Sequence, residues 1–175
     1  LLSVSWKARQ SSRPQAFEVV RPAGTVPISV TGTACSLQCS HCGGRYLEHM
    51  KTIDRLDSVI SSPEVTSILL SGGCNSDGQV PLVPEIGMVR LKIAETGRNI
   101  KINAHPGVVG EEEALAIGAF ASVVSFDFVL DDATIREAFG GHRTGQDYVN
   151  ALHNLRKGKA KVVPHVLIGL YKGEV

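Results

Sequence analysis

The sequence predicts an α/β fold built around a parallel sheet, and three observations support this prediction. Short β-branched or buried-type runs alternate along the chain with segments whose apolar residues have helical spacing. Glycines and prolines fall between these segments, where turns are expected. The length of 175 residues fits one domain with its own core. Strand–helix alternation is typical of βαβ units, which form either a doubly wound sheet or part of a (β/α) barrel.

Five strands are predicted in order along the chain. The first is a β-branched run, PISVTG, and the second, TSILLSGG, is a buried-type run that two glycines stop. The third ends at a Pro-Gly turn, and the fifth contains Pro164, which is tolerated near a bulge or a sheet edge. The predicted strands cover residues 27–32, 66–73, 101–107, 122–130 and 161–170.

Five helices are predicted between and after these strands. The first places Ile53, Leu56 and Ile60 at helical spacing, and the third opens with acidic residues that suit a helix N-terminus. The last is amphipathic and ends in basic residues and Gly158. The predicted helices cover residues 51–62, 83–96, 111–121, 131–140 and 146–159. Residues 1–25 are predicted to be an irregular or edge segment that precedes the core domain at 26–175.

Composition argues against several classes of partner. The formal net charge is +1, so no nucleic-acid partner is expected, and the basic residues of the first segment are interpreted as a solvated arm. No apolar run approaches the roughly 18 residues of a membrane span. Four cysteines without a signal-peptide pattern indicate a reducing, cytoplasmic compartment, where clustered thiols more often bind metal than pair as disulfides.

The residues with unusual chemistry all fall at the carboxyl ends of predicted strands. In strand order they are the cysteines after the first strand, Gly72-Gly73-Cys74 after the second, His105, Asp127, and Ile168-Gly169. Because ligands of parallel α/β sheets bind at this edge, these residues predict a functional site there.

Cys35, Cys39 and Cys42 form the most specific motif, C-x3-C-x2-C. Three thiolates in one loop can hold three irons of a [4Fe–4S] cubane and leave the fourth iron open to a ligand. The alternative is a structural zinc site completed by His49 or Cys74. The residues of the loop alone leave both interpretations open.

In this context the chain resembles the radical S-adenosylmethionine (SAM) superfamily, which carries C-x3-C-x2-C after the first strand of a partial (β/α)6 barrel. The resemblance implies about five βα units of that barrel and a [4Fe–4S] cluster on Cys35, Cys39 and Cys42. It also implies SAM as cosubstrate and a one-electron donor such as flavodoxin or ferredoxin. Cleavage of SAM would give a 5′-deoxyadenosyl radical that abstracts hydrogen from a small-molecule substrate.

The resemblance further implies SAM or substrate contacts from the other strand ends. The residues concerned are Ser71, Gly72, Gly73, Asn103, His105, Asp127, Arg143, Ile168 and Gly169. Some of them have a structural alternative: a helix cap for Asp127, a satisfied structural residue for His105, a solvated side chain for Arg143, and an ordinary strand end for Ile168-Gly169. Cys74 stands where many relatives have Glu and is interpreted as a small buried thiol, and Tyr148 stands where several relatives have Arg.

Two questions stay open from the sequence. The family barrel has six βα units and this sequence ends after its fifth strand, so either the chain is a fragment or another element covers the open side. Proximity to biotin and lipoyl synthases raises sulfur insertion or cofactor biosynthesis as a hypothesis, although the sequence has no second cysteine cluster. A zinc-binding module, or a cluster-binding barrel without turnover, is the functional alternative.

Overall fold

A single parallel sheet forms the centre of the computed structural model, which describes residues 2–12, 23–37 and 39–173. The six strands are β1 (Thr25–Ser29), β2 (Lys51–Thr52), β3 (Ser67–Ser71), β4 (Lys101–Ala104), β5 (Val123–Phe128) and β6 (Lys161–Val166). Their order is β2-β1-β3-β4-β5-β6, and every neighbouring pair is parallel. The sheet is open, with β2 and β6 at its two edges. The predicted α/β fold is therefore confirmed.

Helices follow the main strands, as the alternation of patterns predicts. They are α1 (Leu2–Ser12), α2 (Arg45–Glu48), α3 (Leu56–Ser61), α4 (Ile86–Glu95), α5 (Glu111–Phe120), α6 (Asp132–Phe139) and α7 (Gly145–Lys157). Two of them, α3 and α4, are each preceded by a 3₁₀ turn. None of the described helices combines the length and the apolar character that crossing a membrane requires.

The prediction of an irregular segment at residues 1–25 is wrong for its first part. Residues 2–12 form α1, and Val4 and Trp6 on it are 69% and 63% exposed. The helix has no buried apolar stripe, so the periodicity that identifies a helix packed on a core is absent from its sequence. Arg13 and Arg21 of the predicted basic arm lie outside the described residues.

Two predicted boundaries also differ from the structure. Lys51 and Thr52 were expected in a helix, but they pair with Ile28 and Ser29 as a short parallel strand, and α3 starts later. The strand predicted at 161–170 ends at Val166. Beyond it, Gly169 has a positive φ of 75°, which is incompatible with a continuing strand.

The strand register gives the sheet two chemically different faces. Ile28, Leu70 and Val124 are fully buried against the helices and form the centre of the core. Side chains on the other face are polar near the carboxyl ends of the strands, because paired residues of a parallel sheet point to the same side. The pairs Ser29–Ser71 and Asp127–His165 lie on this polar face.

The segments that follow β3 and β4 are joined by backbone hydrogen bonds. Val108 N donates to Gly78 O at 3.0 Å, and Val80 N donates to Pro106 O at 2.8 Å. A Cβ atom on Gly107 would lie 2.2 Å from the Gly78 carbonyl oxygen, so only glycine fits at this contact. The segments around residues 78–80 and 106–108 are therefore held together at the carboxyl ends of β3 and β4.

Candidate functional site

The cysteine loop follows β1 and rests on the segment after β3. Thr31 Oγ1 accepts a 2.7 Å hydrogen bond from Gly73 N, and Ser36 N donates to Cys74 O at 2.7 Å. On its other side, Ser40 N donates to the Ala138 carbonyl of α6 at 2.8 Å. Backbone bonds on both sides thus fix the loop that carries the three cysteines.

Gly73 is required for this packing. A Cβ atom at Gly73 would lie 2.0 Å from the Ala34 carbonyl oxygen and 2.6 Å from Cys35 Cβ. Both neighbours belong to the cysteine loop itself. The resemblance implies a cosubstrate contact at Gly73, and in the structure the space that a side chain would need there is filled by the loop.

A cavity of about 240 Å³ lies next to the cysteine loop, at the carboxyl end of the sheet. Cys35, Cys39 and Cys42 all contribute to its wall. Other residues that line it are Ser71, Gly72, Gly73, Cys74, His105 and Asp127. The structure therefore brings together the three cysteines and five of the nine other predicted site residues.

All three thiols are free, but they do not converge on one point. Cys35 Sγ lies 3.5 Å from Leu37 O, and Cys39 Sγ lies 3.8 Å from Phe139 O. Within the described part of the chain, the three sulfur atoms do not form a set within 4.8 Å of one another. A tetrahedral zinc ion with Zn–S bonds of about 2.3 Å would need sulfur atoms about 3.8 Å apart.

The electrostatics of the thiols follow from their surroundings. Burial raises the pKa of Cys39 to about 11, and the neighbouring Cys35 and Cys42 add to the rise. Burial likewise raises the pKa of Cys74 to about 12. The Cys74 side chain is half-buried and packs against the hydrophobic core.

Asp127 lies between two imidazoles at the polar end of the cavity. His105 Nε2 is 3.4 Å from Asp127 Oδ2, and His165 Nδ1 is 3.3 Å from Asp127 Oδ1. Burial tends to raise the pKa of this carboxyl, but His105 and then His165 outweigh it, so the pKa is lowered from 3.8. The carboxylate is thus held in its charged form.

Four predicted residues do not line the cavity. The amide oxygen of Asn103 accepts a 3.1 Å hydrogen bond from Ser125 Oγ on the polar face. Arg143 Nε donates to Asp77 O at 2.7 Å, and its guanidinium lies 3.7 Å from Asp147. Ile168 is 76% exposed and Gly169 follows it, both beyond the end of β6.

Two residues of the site were not assigned to it from the sequence. Tyr148 on α7 is buried in the cavity wall beside Phe126 and Phe139, and burial raises the pKa of its phenol. His165 reaches Asp127 because the two residues are register partners on β5 and β6. The available signal was a polar His165 in the strand predicted at 161–170, but it points to Asp127 only when the register is known.

The fold resembles that of a solved enzyme. The structure of methylornithine synthase (PylB) matches with a TM-score of 0.59 over 85% of this chain, at 17% sequence identity. This chain spans 46% of the length of that enzyme. No family model and no curated protein sequence matches the chain. The likeness shows that the open sheet is a partial (β/α) barrel.

Proposed function

We propose that this chain is a radical SAM enzyme that uses a [4Fe–4S] cluster on Cys35, Cys39 and Cys42. The observation that carries the proposal is the position of the motif: C-x3-C-x2-C directly follows β1 of a partial barrel and lines its cavity. The fold likeness to methylornithine synthase, itself a radical SAM enzyme, supports it. The substrate is proposed to be a small molecule, and the electron donor a flavodoxin- or ferredoxin-type protein of the cytoplasm.

The donor set fits the proposed cluster better than it fits a single ion. Thiolates are the ligands of iron–sulfur clusters, and the three thiols here share one cavity without converging on one point. A cubane spreads its ligands over separate corners, whereas a zinc ion draws them to one centre. The separation of the sulfur atoms therefore does not favour the zinc-binding alternative.

When bound, the cluster and SAM would together supply a 5′-deoxyadenosyl radical, formed with methionine by one-electron cleavage of SAM. The role of the protein would be to hold the cluster and SAM and to enclose them. The backbone bonds from Gly73 and Ser36 keep the cysteine loop in place against β3. Phe126, Phe139 and Tyr148 give the cavity an aromatic wall, which limits the access of water to it.

Anaerobic reconstitution with iron and sulfide, followed by SAM and dithionite, tests the proposal. We expect brown protein that contains about four irons per chain and releases 5′-deoxyadenosine. The Cys35, Cys39, Cys42→Ala variant should stay colourless and inactive. Cys74→Ala is the matched control and should still bind the cluster, because Cys74 lies outside the motif.

Each contrary outcome has a distinct meaning. Brown protein that releases no 5′-deoxyadenosine would contradict the proposed activity and leave a cluster-binding protein without turnover. Colourless protein that holds one zinc ion through the triplet would overturn the proposal as a whole.

A further inference from the structure

We propose that His105, Asp127 and His165 form a second metal site, which binds one divalent transition-metal ion of the zinc type. The ion would be held by two imidazole nitrogens and one carboxylate oxygen. The site uses none of the cysteines, and the proposal stands independently of the proposed function.

The spacing of the ligand atoms supports this site. One ligand atom from each residue lies within 4.8 Å of the other two, and this is the one such group of three in the described part of the chain. The two nitrogen–oxygen distances are 3.4 and 3.3 Å. For metal–nitrogen and metal–oxygen bonds of about 2.0–2.2 Å, the edge of a tetrahedron is about 3.4 Å. Each separation is of this size, but the two run to different carboxylate oxygens, so the support for a single ion is the 4.8 Å grouping of one ligand atom from each residue.

The His165 Nδ1–Asp127 Oδ1 contact is a hydrogen bond in this structure, and it is long for one. Imidazole–carboxylate hydrogen bonds between charged groups are expected at about 2.7–2.9 Å. Both contacts of Asp127 are longer than this, and each imidazole faces a different oxygen of the carboxylate. An ion bound to one carboxylate oxygen would require a small movement of one imidazole, since the two nitrogens face different oxygens.

The backbone holds the three residues on rigid elements. Asp127 and His165 are register partners on β5 and β6, so their side chains share one face. His105 comes directly after β4, and its backbone N–H donates to the Leu70 carbonyl at 3.0 Å. Three neighbouring strands thus present one ligand each, which is the kind of support that a preorganised metal site needs.

The position of the site indicates what the ion would bind. His105 and Asp127 line the cavity, and the side chains of all three residues are partly exposed, at 27%, 32% and 47% in chain order. Three protein ligands leave the fourth position of a tetrahedral ion for water or an exchangeable ligand. We infer that this position takes an oxygen or nitrogen donor of a small molecule in the cavity, such as a carboxylate or an amine.

Metal titration of a cysteine-free chain tests the site, because it removes the competing thiols. All four cysteines are replaced by alanine, and Co²⁺ binding is followed by visible absorption and Zn²⁺ binding by calorimetry. We expect one ion per chain, with the absorption of a four-coordinate site. In the same background His165→Ala and Asp127→Asn should each weaken binding at least tenfold. His153→Ala, at an exposed position of α7, is the matched control and should bind as the parent does.

A second measurement keeps the test informative if the cysteine-free chain does not fold. In the wild-type chain, Zn²⁺ added in excess over the four thiols should shift the imidazole NMR signals of His105 and His165 and leave that of His153 unchanged. Equal affinity in His165→Ala and His153→Ala, or unshifted His105 and His165 signals, would overturn the proposal. Neither readout depends on the cluster or on SAM cleavage, so failure here is distinguishable from failure of the proposed function.

Discussion

Gly73 shows how a single residue determines the position of the cysteine loop. Its absent side chain leaves room for backbone atoms of Ala34 and Cys35 that lie 2.0 and 2.7 Å from where a Cβ would be. Backbone atoms cannot rotate away as a flexible side chain can. Any substitution must therefore displace the loop that carries the three thiols.

We expect Gly73→Ala to lose most of its capacity to bind a cluster, with a several-fold fall in iron per chain after anaerobic reconstitution. Gly87→Ala is the matched control, because a Cβ there meets nothing within 4 Å. Gly87 lies in α4, so alanine should raise the free energy of unfolding by about 0.5–1 kcal/mol. Wild-type iron content in Gly73→Ala would show that the contact is dispensable.

The residues of the site differed in how far the sequence could predict them. The cysteines, Gly73 and Asp127 were accessible because strand ends of parallel sheets converge at one edge. Ile168 was predicted at the site but does not line the cavity, because the prediction extended the strand beyond its actual end at Val166. His165 joins the site through pairing of β5 with β6, and the sequence pattern does not contain the register.

At the level of elements, α7 is the helix with the most explicit N-terminal signal. Thr144 Oγ1 accepts a hydrogen bond from Asp147 N, and Asp147 Oδ2 accepts from Thr144 N at 2.8 Å, which makes a capping box. This helix carries Tyr148 into the cavity wall. The capping box therefore supports the site as well as the fold.

Thr144→Ala should lower the free energy of unfolding by about 1 kcal/mol, as loss of an N-cap usually does. The measurement is urea unfolding followed by circular dichroism. Thr33→Ala is a suitable control, since Thr33 is exposed and its hydroxyl has no hydrogen-bond partner among the described residues. Equal stability of the two variants would contradict the role of the cap.

Asp147→Ala should show a pH-dependent loss of stability. The backbone N–H of Thr144 lowers the pKa of Asp147 from 3.8, and together with the Thr144 hydroxyl and Arg143 it outweighs the opposing effect of burial. A lowered carboxyl pKa stabilises the folded state above the unfolded-state pKa, and this stabilisation is lost as the pH falls through the folded-state pKa. The difference in unfolding free energy between wild type and variant should be present at pH 7 and shrink below about pH 3.8. A difference that stays constant down to pH 2 would exclude an ionic contribution.

Elements that pack on the core were predictable, and elements without a buried face were not. The main strands and α4 to α7 have apolar patterns that follow from burial, and their predicted ranges overlap the observed ones. The helix α1 has exposed Val4 and Trp6, so no periodicity marks it. The strand β2 has only two residues, too few for any alternation.

For the molecule as a whole, the open sheet leaves β6 as an edge strand with apolar side chains. Val166, Leu167 and Ile168 are 72%, 40% and 76% exposed at the end of this strand. Exposed apolar edges promote association with other strands.

We expect Val166→Lys to reduce self-association of the chain at high concentration without lowering its unfolding temperature. A charge on an exposed edge position opposes pairing of strands and removes no core contact. Sedimentation velocity across a concentration series measures the effect. Leu115→Lys, at a 44% exposed position on α5, is the control for added charge alone. The same reduction in both variants would show that net charge, rather than the edge, controls association.

The backbone bonds that join the segments after β3 and β4 also bear on how molecules reach the cavity. Gly78 and Gly107 pack closely and leave no gap between these two segments. Within the segment after β3, the Asn75 N–H donates a 2.9 Å hydrogen bond to the Gln79 carbonyl. On the opposite side, β6 is an edge strand, and no further described strand pairs with it. His165 lies on this edge strand with its side chain 47% exposed, so a molecule approaching Asp127 from the edge meets this imidazole first.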